Sequence, residues 1–515
     1  MKLFLTFCLV IVIHFSLFAQ YEDSGKRGIY FTKKMHTASS IPTFEAKKDE
    51  LPAPIIEDRA DYIELYWKAW ELAFNHYKRP LDNSPFVSNY IDEAFAPNIF
   101  QWDTIFMIMF VRYAHFIFPA IESLDNFYCR QYENGYICRE IVEATGEDFV
   151  FEGREHTVNP PLFSWCEIEN YRISGDKSRF RDVLPVLEKY ADWLEKHRKK
   201  ENTKHGLFWQ TGLGSGMDNT PRSGSGWVDI SSQMVLLYSN MAVMYGELNE
   251  PDKSEICKEK AELISNMINK FMWNEEEGLY YDIDDDGKQV KCKTIACFWP
   301  MLAGISSDDQ VKKMLANLKD PNSFWRQIPF PSLAADHKDY KPDGQYWLGS
   351  VWAPTNVAVI KGLNNYPEVE NTTEFATAAV EKYLDGMYEV YKKTGTIWEN
   401  YSPEFNMRGL FSKPDFVGWS GCGPIQLLIE NILGFRPDGP NEKLTWYLYR
   451  VDRHGIEKLR FGSVTASLVS ERRANIYCSV EITIESNHSF ELLVVLPDRV
   501  KTINVTKGKN SYTID

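Results

Sequence analysis

The chain has 515 residues, 44% of them hydrophobic, and a formal net charge of −15. That length allows one large domain or two, and the negative charge excludes a nucleic-acid partner or docking on an anionic membrane, both of which need a basic surface. Aromatic residues make up 14%, with 15 Trp, 27 Tyr and 31 Phe, a richness that sugar-binding sites and large helical cores both produce.

Residues 1–19 read as a secretory signal peptide. Lys2 gives a positive start, an apolar run follows, and Ser16-Leu17-Phe18-Ala19 offers a cleavage site after Ala19. The run is marginal for a membrane anchor, and Cys8 lies inside it, which argues against a lipid-attachment cysteine. No other stretch reaches membrane-spanning length, so no span is expected in the mature chain. The expected location is secreted or periplasmic. Residues 20–58 are polar, broken by prolines, and read as an extended arm.

From 59 to 437 helical patterns dominate. Apolar residues at spacings of three and four predict helices over Tyr62–Tyr77, Thr104–Phe118, Pro161–Ile173, Arg181–His197 and Asp229–Leu248. The same spacing marks Lys253–Met272, Asp308–Leu318, Val351–Leu363, Phe375–Tyr391 and Gly423–Leu433. With weaker candidates the total is roughly a dozen, and the connections are rich in Trp, Gly, Pro and Asn. This predicts a mainly α chain: an (α/α)6 barrel, or toroid, with functional loops at one end. After Pro437 the pattern alternates. Leu444–Tyr449, Gly462–Ser470, Ala474–Ile484, Phe490–Leu496 and Thr502–Thr506 predict a small β-sandwich over 441–515, whose plainest role is to cap the helices.

The chain has nine cysteines, one of them Cys8. The others are irregularly spaced and lack a Cys-x-x-Cys pair, so most are expected to be buried small hydrophobes. Cys292 and Cys297 are near enough in sequence to pair.

Two loops carry the strongest chemical signal. GLGSGMDNTPR holds Asp218 among glycines that allow close backbone approach to a ligand, between Trp209 and Trp227, with Arg222 placed to orient a carboxylate or bind a hydroxyl. TIWENYSPE holds Glu399 beside Trp398 and Tyr401, where partial desolvation raises a carboxyl pKa and suits acid–base work. Two carboxyl groups are what glycosidic cleavage needs. The plain alternatives are a capping Asp, a task that Asp229 suits better than Asp218, and a surface Glu.

Weaker candidates surround them. Trp102 and Asp103 open a helix, where Asp103 suits either an N-terminal cap or a hydroxyl-binding group. GQYWLGSVWAPTN offers Gln345, Trp347 and Trp352, either a stacking wall for sugar or helix-start packing. Arg139, Asn159 and Trp419 sit at further loop-to-helix junctions. DIDDDGK resembles the start of an EF-hand loop, but its twelfth position is Lys293 where a bidentate Glu is required. It reads instead as two short strands joined by an acidic turn.

GSGMDNTPR, YWLGSVWAPTN, FQWDTIF and WENY resemble, in their chain order, the inverting glycosidases of glycoside hydrolase families 63 and 37. These include processing α-glucosidases, mannosylglycerate hydrolases and trehalases. The resemblance runs from about Ile99 to Phe435 and implies an (α/α)6 barrel. It implies Asp218 as general acid, Glu399 as general base, and Trp102 with Asp103 on the terminal sugar, with no metal or cofactor. Departures are a short glycine-rich segment around Gly418–Gly423, Ser350 where many relatives carry Pro, and a β-domain after the barrel instead of before it. The expected activity is inverting, exo-acting hydrolysis of a short α-glycoside or oligosaccharide. A polysaccharide lyase and a non-catalytic sugar-binding protein are the alternatives.

Overall fold

The computed structural model describes residues 25–32, 40–93 and 96–515; the expected leader, residues 1–19, lies outside the described residues. The chain is mainly helical with a strand-rich C-terminal region. Its principal helices are α1 (Ala60–Asn75), α2 (Gln101–Val111), α3 (Phe163–Ser174), α4 (Phe180–His197), α5 (Val228–Glu247), α6 (Pro251–Phe271), the single turn α7 (Trp299–Leu302), α8 (Asp308–Lys319), α9 (Ala353–Asn364) and α10 (Thr372–Thr394). A π-helix follows at Gly423–Ile432.

Burial sorts the helices into two kinds. Every residue of α2 is buried, and α5 and α9 are buried nearly throughout. Such all-round apolar helices lie inside a fold. By contrast α6 buries only Ser254, Cys257, Ala261, Ile264 and Ile268, one stripe at spacings of three and four. The inner set makes a cycle of contacts: α2 touches α3, α3 touches α5, α5 touches α7, α7 touches α9, α9 touches the π-helix, and the π-helix returns to α2. Outside this cycle α6 and α4 lie on α5, α10 on α9 and the π-helix, and α1 on the π-helix.

The strands are β1 (Ala53–Ile56), β2 (Phe435–Asp438), β3 (Lys443–Tyr447), β4 (His454–Phe461), β5 (Val464–Ser470), β6 (Val480–Ser486), β7 (Phe490–Val495), β8 (Val500–Val505) and β9 (Gly508–Ile514). They form a five-stranded sheet in the order β1-β4-β5-β6-β9 and a four-stranded sheet in the order β2-β3-β7-β8. Only β3 and β7 pair in parallel among these. Alternate residues of β5, β6 and β7 are buried, as expected of sheets with one covered face. Phe461 on β4 meets Phe490 on β7 edge-on at 5.5 Å, joining the two sheets.

Two boundaries differ from the sequence reading. The N-terminal arm is not simply extended: Phe44–Lys47 is a helical turn, and β1 pairs antiparallel with β4 along Ala53–Ile56. The four-stranded sheet begins at Phe435, ahead of the expected start at 441, because β2 pairs with β3. The eight cysteines from Cys129 to Cys478 are unpaired, Cys292 and Cys297 included, and six of them are buried.

Candidate active site

The Asp218 loop is a turn built by its own small residues. The Thr211 hydroxyl accepts the Gly214 N–H at 3.0 Å, and Ser215 Oγ donates to the Gly212 carbonyl at 2.8 Å. Gly216 has φ +75°, and a Cβ there would lie 3.0 Å from the Trp102 indole. Only glycine lets the loop rest on that ring. Arg139 donates to the Leu213 carbonyl at 2.6 Å, and Asn159 Nδ2 to the Gly214 carbonyl at 3.1 Å. Both therefore hold the loop through its backbone.

Asn219 then docks the loop on the next segment. Its side chain accepts the Trp347 N–H at 2.8 Å and donates to the Gln345 carbonyl at 3.3 Å. Gln345 and Tyr346 both have positive φ, +29° and +67°. This turn brings the Tyr346 hydroxyl to Asp218 Oδ2, to which it donates at 3.0 Å. Burial pushes the Asp218 carboxyl up to about 6, although the Arg139 charge and the Tyr346 hydrogen bond pull it down.

Glu399 is fixed from the other side. Its N–H donates to the Lys413 carbonyl, and its Oε2 accepts the Lys413 N–H, both at 3.0 Å. Tyr401 and Val351 exchange two backbone bonds at 2.8 and 3.1 Å, tying this loop to the start of α9. Burial pushes Glu399 up to about 7, opposed by the Lys413 N–H and charge and assisted by the negative charge of Asp218. Glu399 feels the charge of Asp218, and each carboxyl has one oxygen engaged by a fixed donor. Loops 181 residues apart in sequence thus meet at one place.

An aromatic chain joins them. Tyr346 meets Trp352 edge-on at 5.2 Å, Trp352 meets Trp419 at 5.6 Å, and Trp419 Nε1 donates to the Glu399 carbonyl at 2.8 Å. Trp347 and Trp352 stack on each other at 4.1 Å and are 2% and 0% exposed. The expected sugar-stacking wall is therefore corrected: these indoles use their faces on one another and support Tyr346 from behind.

Asp103 and Trp102 lie in the first turn of α2. Asp103 Oδ1 and Trp102 Nε1 are buried without a hydrogen-bond partner. Burial, then the Glu399 charge, holds the Asp103 carboxyl well above its ordinary range. Glu93, which no sequence motif marks, is buried with both carboxylate oxygens unpartnered, and burial and the charges of Asp92 and Asp103 raise it likewise. Tyr346 and Asn219 also escape the sequence reading. Both stand beside candidate residues, but the turn geometry that aims them is not visible in the residue pattern.

Arg222 is a second correction. Its guanidinium bonds Asp229 at 2.6 and 3.0 Å and Asp282 at 2.9 Å twice, and the Met217 sulfur takes the remaining N–H at 4.0 Å. No donor is left for a substrate. Arg222 locks the loop to α5 and to the hairpin at Asp282–Ile283. Asp229 therefore serves Arg222 within the first turn of α5, where Trp227 holds the cap position. Trp209 is half-buried, with the Arg198 guanidinium 4.4 Å from its ring centre. Among the described residues no cluster of three or more His, Cys, Asp or Glu is arranged to hold a metal ion, and no helix is long and apolar enough to cross a membrane.

Paired, partly desolvated carboxyls set in aromatic walls are the equipment of glycosidic hydrolysis, and comparison with known proteins establishes the class: the protein is a glycoside hydrolase. Residues 96–416 match the mannosylglycerate hydrolase MGH1-like glycoside hydrolase domain, and the chain belongs to that family. The lyase and binding-protein alternatives fall with that membership. The chain is similar to an uncharacterized protein of Borreliella burgdorferi, 27% identical over 467 residues, which covers 88% of this chain and 97% of that one. It is 22% identical over 274 residues to a mannosyl-oligosaccharide glucosidase of Saccharomyces cerevisiae, covering 48% of this chain and 32% of the glucosidase. Its fold resembles that of the family 63 mannosylglycerate hydrolase of Thermus thermophilus, with TM-score 0.54, 16% identity, and coverage of 70% of this chain and 99% of that one.

Proposed function

We propose that the protein is an inverting, exo-acting hydrolase of a short α-glycoside, an α-glucoside or a related compound such as mannosylglycerate. Asp218 protonates the leaving oxygen, and Glu399 takes a proton from the attacking water. The observation that carries this reading is the meeting of Asp218 and Glu399, both raised in pKa and each with one oxygen held by a fixed donor. The other oxygen of each is left for proton transfer. Inversion calls for about 6.5–9.5 Å between the carboxyl groups. Trp102, Asp103 and Glu93, with buried polar atoms unmatched, suit the hydroxyls of a terminal sugar. The contact cycle of α2, α3, α5, α7, α9 and the π-helix supports an (α/α)6 barrel, and the Phe461–Phe490 contact supports a β-sandwich. The leader pattern of residues 1–19 favours export, which N-terminal sequencing of the mature protein tests.

The order of the two pKa values runs against the assigned roles, since Glu399 lies above Asp218. The singly protonated pair is most populated between about 6 and 7, and kcat/KM is expected to be bell-shaped with limbs there. The dependence of each variant on the leaving group decides which carboxyl carries the proton with substrate bound. The direct test of the reaction is NMR of the first product from a panel of α-linked glycosides including glucobioses, trehalose and mannosylglycerate. Release of the β-anomer supports inversion; release of the α-anomer contradicts it.

A further inference from the structure

The opposite ends of the inner helices enclose a cavity of about 220 Å3 that the proposed chemistry does not use. Arg112 just past α2, Arg172 on α3, Lys361 on α9 and Arg436 on β2 line it, against the carboxylates of Glu169 and Glu430. Four cationic side chains therefore face two anionic ones. The carboxylates are already saturated. Glu169 is bonded by Arg112, by Arg172 at 2.5 Å and by Lys361 at 2.9 Å. Glu430 is bonded by Arg112, by Tyr113 at 2.9 Å and by Lys361 at 3.5 Å.

Donors are left over. Arg112 is 3% exposed and its Nε meets no acceptor; Asn240, on α5, is 9% exposed and its Nδ2 meets none. Arg436 Nε is likewise buried and unmatched. No carboxylate among the described residues forms an ion pair with Arg436. Its Nη atoms reach only the carbonyl and side-chain oxygen of Asn364, at 3.5 and 2.9 Å, and its guanidinium lies 4.0 Å from the Tyr447 ring centre. The negative ends of α2, α3 and α9 point here and draw cations. That attraction explains why the cations gather. It does not explain buried donors without acceptors, which are costly, and more so when charged.

We propose that this cavity binds a small oxyanion, a phosphate or a carboxylate, whose several acceptor oxygens match the unpaired donors of Arg112, Asn240 and Arg436. Arg and phosphate or carboxylate are a geometric match. The site touches the far ends of the helices that begin at Trp102-Asp103 and just after Trp352, so occupancy stiffens the frame of the active site.

The test is thermal melting of the full chain in sodium phosphate and in sodium acetate, each against sodium chloride of equal ionic strength. A saturating oxyanion is expected to raise Tm by about 1–3 °C. The rise persists in Asp218→Asn, which separates this site from the catalytic one. It disappears in Asn240→Asp, which supplies an internal acceptor and raises Tm without added anion, and it needs at least about tenfold more anion in Arg436→Gln, the loss of one charge-assisted hydrogen bond. A response to phosphate alone identifies a phosphate site, and a response to both salts a general carboxylate and phosphate site. No rise above chloride with either salt, or an equal rise in both cavity variants, overturns the proposal and leaves a cavity filled by water alone.

Discussion

The two ends of the inner helices treat buried carboxyls in opposite ways. At one end Asp103, Asp218 and Glu399 are raised in pKa, with burial the leading cause in each. At the other end Glu169 and Glu430 feel the same upward push of burial, yet Lys361 and Arg112 hold both below the ordinary range. α2 spans the contrast in one element, from Asp103 in its first turn to Arg112 just past its last. Its N-terminal dipole favours the Asp103 anion by about 0.3–1 kcal/mol, but desolvation without a cation outweighs that. Burial alone therefore does not decide a carboxyl's state; cations paired directly with it do. Where Arg139 and Lys413 act on Asp218 and Glu399 without a direct ion pair, burial prevails; where Arg112 and Lys361 pair directly with Glu169 and Glu430, the cations prevail.

The largest effects are expected at Asp218 and Glu399. Asp218→Asn and Glu399→Gln are each expected to lower kcat by about 10²–10⁴-fold, measured on the best substrate of the panel. At the basic end, Glu169→Gln leaves Arg112 and Lys361 short of a buried partner and is expected to cost about 3–5 kcal/mol at pH 7. Because Glu169 has a depressed folded pKa, its contribution is present above the unfolded value and lost as pH falls through the folded one. Melting curves of wild type and Glu169→Gln should therefore converge in acid. A Glu169→Gln protein as stable as wild type at pH 7 would remove the contrast.

Tyr346→Phe removes a hydrogen bond to Asp218 that favours its anion, so the lower limb of the pH–rate profile should move upward, and kcat should fall about ten- to a hundredfold. The smallest expected effect has the opposite sign to that at Glu169. Asp218 and Glu399 have raised folded pKa values, so their favourable protonated state is fully populated only below the unfolded values. That contribution is lost as pH rises through about 6 and 7. The amide variants should match wild type near pH 4 and exceed it at pH 8, by on the order of 1 kcal/mol each, read as Tm.

The helices are legible in the sequence because their stripes are strong: α4 and α6 stand within a few residues of their expected limits. β4 escapes the pattern because a register shift between Ile456 and Leu459, with Lys458 at φ +56°, breaks its alternation. β9 escapes it because GKNSYTI is mostly polar, with Ile514 its one buried residue. β1 is hidden in the arm, since its partner lies some four hundred positions later, at His454–Glu457. In the site, Asp218 and Glu399 stand out as acids in loops too rich in glycine and aromatics for ordinary surface. Arg222 misleads because one of its partners, Asp282, is 60 residues away in sequence. Glu93 carries no local signal, as its meaning comes from Asp103 in another element.

The most direct test of the central claim, that Asp218 gives a proton and Glu399 takes one, uses a substrate whose leaving group needs no proton. With an α-glycosyl fluoride, Asp218→Asn should recover most of the wild-type rate while Glu399→Gln stays inactive. Recovery by Glu399→Gln and not by Asp218→Asn would contradict the account and exchange the two roles.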